Sequence, residues 1–191
     1  MSDQVWWYAT RAAGMMTWST ATAAVIVGLV LSTRVVKRRT GPWLLDVHRF
    51  LGGLSVLFLA CHLLTLWLDS FVEFGPAELL IPGRSTWNAE AAAWGIIGLW
   101  CLLLVELTSL LRRWISGPVW RTFHMLSVLT AVAGTYHAWL GGSDVDNPFA
   151  WLLAGVGATV IAGLTARRLH GLGQRKGRSV GPSSRQPRAA Q

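Results

Sequence analysis

Long apolar stretches, separated by short polar connections rich in charge, make up most of the chain. A helix needs about 20 mostly apolar residues to cross the hydrocarbon core of a bilayer. Five stretches meet that length, at roughly Ala12–Val35, Leu44–Leu68, Ala89–Trp114, Val119–Leu140 and Pro148–Leu169. The pattern predicts an all-α integral membrane protein with five transmembrane helices packed as one domain over residues 1–169. The first stretch lacks a basic leading region and is longer than the apolar part of a signal peptide, so it reads as a span. From about Gly171 the sequence turns polar, with Gly, Ser and Pro throughout, and residues 170–191 are expected to form a basic, disordered cytoplasmic tail.

Composition narrows the class. Hydrophobic residues are 52% of the chain and charged ones 14%, against roughly a quarter charged in soluble domains. Too few polar groups remain to cover a water-facing globule. The net charge of +8 would ordinarily raise nucleic acid as a partner, but the bases sit in alternate connections. Arg34, Lys37, Arg38 and Arg39 follow the first stretch, Arg112, Arg113 and Arg121 flank the third and fourth, and Arg167, Arg168 and the tail follow the fifth. Asp69, Glu73, Glu78, Glu90, Asp144 and Asp146 fall in the other connections. The positive-inside rule then puts the N-terminus outside and the C-terminus inside a cell membrane, as five spans require. Trp6, Trp7, Trp67, Trp87, Trp139 and Trp151 near the outer ends, and Trp43, Trp114 and Trp120 near the inner ends, match the aromatic belts of the headgroup region. The charge is topological, with lipid and not nucleic acid as the expected partner.

Four of the five histidines lie inside the second and fourth stretches: His48 and His62, then His124 and His137. Ionisable groups at membrane depth are costly and usually functional. Both stretches run from inside to outside, so His48 and His124 share an inner depth and His62 and His137 an outer one. Each pair on one helix is separated by about 20 Å. Two helices that present one imidazole each at two depths suit two bis-His haems, with all four histidines as iron ligands. Gly52, Ser55, Ser127, Ala131 and Gly134 offer room beside them. Fourteen residues return to nearly the same helix face, whereas thirteen miss it by about 140°. His137 therefore needs a tilt or a local distortion, for which Gly134 is a plausible place. Zinc and di-iron sites need ligands converging within a few ångströms, and these pairs are too far apart.

The segments LLDVHRFLGGLSVLFLACHLLTL and VWRTFHMLSVLTAVAGTYHAWLGGSD, with VWWYATRAAG and VELTSLLRR, resemble the ferric-reductase-like transmembrane domain family. That family includes ferric reductases, the membrane part of NADPH oxidases and the haem-binding subunit of a bacterial methionine sulfoxide reductase system. The resemblance implies two b-type haems stacked across the membrane and electron relay between them. It departs in one respect. No GxGxxG follows a strand, so no flavin or nicotinamide module is expected in this chain. A separate flavoprotein, flavin or quinol would then donate electrons, and ferric iron, a partner protein or oxygen would accept them. A quinol-oxidising cytochrome b subunit is the redox alternative; a non-redox assembly or transport protein, with histidines that only hydrogen-bond, is the other.

Other residues carry lesser expectations. Arg49 and Arg121 are candidates to bind inner haem propionates. Glu106 is expected to pair with Arg49 or Arg121, or else to tune a ligand imidazole. Phe58, Trp94 and Trp100 read as packing aromatics before they read as an electron relay. Cys61 and Cys101 give no disulfide framework. The connection Asp69–Asn88 is too short and broken to span.

Overall fold

The computed structural model describes residues 3–33, 38–69, 74–142 and 147–178. Arg34, Lys37, Glu73, Asp144, Asp146 and the tail from 179 onward lie outside the described residues. Among the described residues seven α-helices follow in order: α1 (Asp3–Thr33), α2 (Gly41–Leu68), α3 (Pro76–Leu80), α4 (Ala89–Leu110), α5 (Gly117–His124), α6 (Leu126–Gly141) and α7 (Pro148–Arg178). No strand occurs among the described residues. Four stretches, Gln4–Thr33, Gly41–Leu68, Ala89–Leu110 and Leu152–His170, are long and apolar enough to cross a membrane.

The fourth expected span is two helices, not one. Its path breaks at Met125, whose N–H bonds both Arg121 O at 3.1 Å and Thr122 O at 3.3 Å, while Val128 N–H reaches back to Met125 O at 3.2 Å. Met125 keeps right-handed helical angles (φ −67°, ψ −20°). The chain is thus overwound into a short tight turn and continues in the same direction. Helix α7 also departs from expectation, since it stays helical to Arg178, beyond the change to polar sequence. Polarity ends the apolar stretch but not the helix, because Leu, Gln, Arg and Lys are nearly as helix-favouring as Ala.

Two antiparallel pairs, α1 with α2 and α4 with α6, make the most extensive contacts, and α7 packs on α1. Small buried residues of α1 (Ala13, Thr20, Ala21, Ala24) let its neighbours approach closely. Val25 and Leu29 of α1 meet Ala131 of α6, with Val128, Ile161 and Leu164 around them. Trp18 Nε1 donates to Thr135 Oγ1 at 2.9 Å and ties α1 to α6. At the head of α4, Asn88 adopts φ 31°, an angle that Asn tolerates. Its side chain accepts from Ala91 N–H at 3.3 Å and donates to Leu140 O at 2.7 Å. One residue therefore caps α4 and anchors it to α6. Large apolar side chains face outward all round, among them Trp43, Phe50, Leu110 and Leu152. A water-facing monomer rarely exposes so much contiguous apolar surface; a lipid-facing bundle must.

Candidate cofactor-ligand site

The bundle brings the four intramembrane histidines together as two pairs. His48 of α2 faces His124 of α5 with ring centres 5.8 Å apart and planes crossed at 71°. His62 of α2 faces His137 of α6 at 6.2 Å and 79°. No group of three or more His, Cys, Asp or Glu side chains converges as a metal site among the described residues.

Each of three rings rests in a socket with the same construction. His48 Nδ1 lies 2.9 Å from Ala24 O, His62 Nδ1 2.9 Å from Thr10 O, and His137 Nδ1 2.8 Å from Ala91 O. A carbonyl oxygen only accepts, so Nδ1 carries the proton in all three and Nε2 keeps its lone pair. Four residues after each carbonyl comes a glycine: Gly28, Gly14 and Gly95. A methyl group built on Gly28 would lie 3.0 Å from the His48 ring, on Gly14 3.1 Å from that of His62, and on Gly95 2.7 Å from that of His137. Glycine is needed here for close approach, not for its backbone freedom.

His124 is held differently. Its ring stacks on Trp120, one helical turn earlier, with centres 4.7 Å apart and planes at 25°. The Arg112 guanidinium lies over the Trp120 ring, 5.0 Å from its centre. His124 Nδ1 lies 3.4 Å from Ser109 Oγ.

The tight turn at Met125 makes the unequal histidine spacings equal in length. A 3₁₀ step rises about 2.0 Å against about 1.5 Å in an α-helix. With about three tight steps, thirteen residues cover about 21 Å, the length that fourteen cover in α2. The same turn recovers about 60° of the roughly 140° by which thirteen residues miss one face; Gly134 lies within continuous α6, beside Trp18.

Beside the His48–His124 pair is a small cavity of about 30 Å³, lined in part by Gly52, Ser55, Glu106, Ser127 and Thr130. Glu106 turns toward Gly52, where an added methyl would lie 2.5 Å from Oε1. It forms no ion pair with Arg49 or Arg121 among the described residues, contrary to the expected pairing. Arg49 is exposed and lies 3.7 Å from Asp46. Arg121 is exposed, and neither arginine lines the cavity. Trp100 is 46% exposed and donates to Leu80 O at 3.0 Å, away from both pairs, so it does not bridge them. Trp94 packs on Tyr136.

The donor set can be tested against a haem. A metal–imidazole bond of about 2 Å on each side, with roughly 1.1 Å from nitrogen to ring centre, puts two axial rings about 6 Å apart. Both pairs have that separation, and three of the four rings keep Nε2 unprotonated. The axial ligands therefore fit. The equatorial space does not stand open: about 30 Å³ suits a water molecule or two, so Glu106 and its neighbours would have to move aside for a macrocycle. The sequence pattern identified the four histidines but not Gly14, Gly28, Gly95, Trp120 or Ser109. The signal was present in one place, because Gly14 and Gly28 repeat the fourteen-residue spacing of His48 and His62. Comparison with protein-family models, with curated proteins and with solved structures finds no match.

Proposed function

We propose that the chain is a b-type cytochrome of the cell membrane that relays single electrons between a separate donor and an external acceptor. The observation that carries this reading is the pairing of four histidines at two levels, with ring centres 5.8 and 6.2 Å apart and three Nδ1 atoms bound to backbone carbonyls. Residues Gly117–Gly141, taken through the tight turn, are about 37 Å long and supply the fifth span across about 30 Å of hydrocarbon. The arginine-rich connections put the N-terminus outside, so His48–His124 is the inner level and His62–His137 the outer.

When bound, haem held by imidazoles would supply outer-sphere transfer of single electrons. His48 and His124 would hold the inner group, His62 and His137 the outer one. Carbonyls of α1 and α4 fix the tautomer of three ligands and make them better donors, as partners of metal-bound histidines do. Glu106 faces the inner level, and its carboxylate would favour the more positive, oxidised iron. Arg121, one turn before His124, is the better placed of the two arginines for a propionate. The donor is a flavoprotein, free flavin or quinol; ferric iron or a redox protein accepts. This is the chemistry of the ferric-reductase-like membrane domains that the sequence resembles.

The test is a dithionite-reduced minus oxidised spectrum of the purified full-length protein, with haem quantified per chain. About two low-spin b-type haems are expected, one per axial pair, with His48→Ala and His62→Ala each removing one. Protein that binds no haem after reconstitution would sink the reading and leave four hydrogen-bonding histidines in a non-redox membrane protein.

A further inference from the structure

The α1 stripe that carries Gly14 and Gly28 has a counterpart on α4, where Gly95 is followed fourteen residues later by Ser109. Fourteen residues bring a helix back to within about 40° of the same face. Ser109 thus stands where a fourth socket would have its glycine. Two features close that socket. The Ser109 side chain fills the space that glycine leaves open. The carbonyl four residues earlier, that of Val105, already accepts from the Thr108 hydroxyl at 3.1 Å, and the adjacent Leu104 carbonyl accepts from the same hydroxyl at 2.7 Å. His124 Nδ1 instead meets Ser109 Oγ at 3.4 Å, and this oxygen also accepts from Trp120 Nε1 at 3.4 Å. The difference from a carbonyl is chemical, because a hydroxyl can accept a hydrogen bond or donate one.

We infer that Ser109 is a positioning residue for His124, and that its hydroxyl leaves His124 alone among the four imidazoles free to carry its proton on either ring nitrogen. Trp120 and Arg112 fix the plane of the ring without fixing that proton. With the proton on Nδ1, Nε2 is a ligand; with the proton on Nε2, it is not. If haem binds as proposed, His124 would be the ligand whose Nε2 is not kept ready by a backbone carbonyl, a consequence that rests on the proposed function.

The ring tautomers can be read by nuclear magnetic resonance of isotope-labelled histidine in the full-length protein, without haem. His48, His62 and His137 are expected as the Nδ1–H form alone and His124 as an average of both forms. The double variant Thr108→Ala/Ser109→Gly opens the glycine space and frees the Val105 carbonyl, and it should lock His124 as Nδ1–H. Ser109→Ala removes the hydroxyl without opening a socket and should leave the average. That order is opposite to helix propensity, which favours Ala over Gly, so a merely structural role would not produce it. Unchanged His62 and His137 signals report an intact fold; for a variant that loses them, Ser109→Thr, which keeps the hydroxyl and the average, is measured in its place. A wild-type His124 already locked as Nδ1–H, or a double variant still averaged, overturns the inference. Protein that takes up no haem would count against the proposed function alone, since the tautomer measurement needs none.

Discussion

A histidine ring laid against a glycine, with its Nδ1 on the carbonyl one turn earlier, is the smallest unit from which this site is built. Its tolerance is narrow. At Gly95 an added methyl would lie 2.7 Å from His137 Nδ1, whereas at Gly53 nothing lies within 4 Å. Gly95→Ala should therefore cost about 1–3 kcal/mol through overpacking, and in a spectral titration should lower uptake of the haem proposed between His62 and His137. Gly53→Ala should leave the haem content unchanged and gain up to about 1 kcal/mol of helix propensity in thermal unfolding. If haem binds as proposed, Glu106→Gln should raise the midpoint potential at the His48–His124 level and leave that at the other unchanged in a redox titration, because it removes a carboxylate beside the first level only. At this scale the sequence disclosed the four histidines but not their supports. Histidine is rare at membrane depth and stands out by type; glycine is common there, and only its register against a neighbouring helix distinguishes Gly14 or Gly95 from the rest.

Among the elements, four long helices were legible because an apolar run of span length admits few other readings. The break at Met125 was not legible as a place. The thirteen-residue spacing demanded a distortion, yet nothing in side-chain type marks Met125, and the nearby Gly134 was the more natural candidate on propensity. Polarity misled at α7, where helix outlasts hydrophobicity. Asn88 shows how much one connection residue can do, since its side chain caps α4 and holds α6 at Leu140. Asn88→Ala should cost about 1 kcal/mol for the cap alone. Hydrogen exchange should show faster opening in the first turn of α4 and the last turn of α6, with α1 and α2 unaffected.

For the whole molecule, the outward display of apolar side chains and the alternation of charged connections make one topological prediction. In a chain with Cys61 and Cys101 replaced by Ala, a cysteine at Thr86 should react with a membrane-impermeant maleimide in intact cells. One at Ser116 should react only after the membrane is opened. The opposite labelling would invert the inner and outer levels, and equal labelling at both sites would remove an odd number of spans between them.

The matched fourteen-residue steps of α1 and α2 have a further consequence. Fourteen is two heptads, the repeat that keeps one seam of a helix pair in contact through a left-handed supercoil. Along this undistorted seam the distance between the two levels is set like the marks on a ruler, in heptads of about 10 Å each. A single inserted residue in α2 between His48 and His62 would turn one histidine off the seam by about 100°, so a descendant of this chain that kept both pairs would need a compensating change of winding, as at Met125, with every such step.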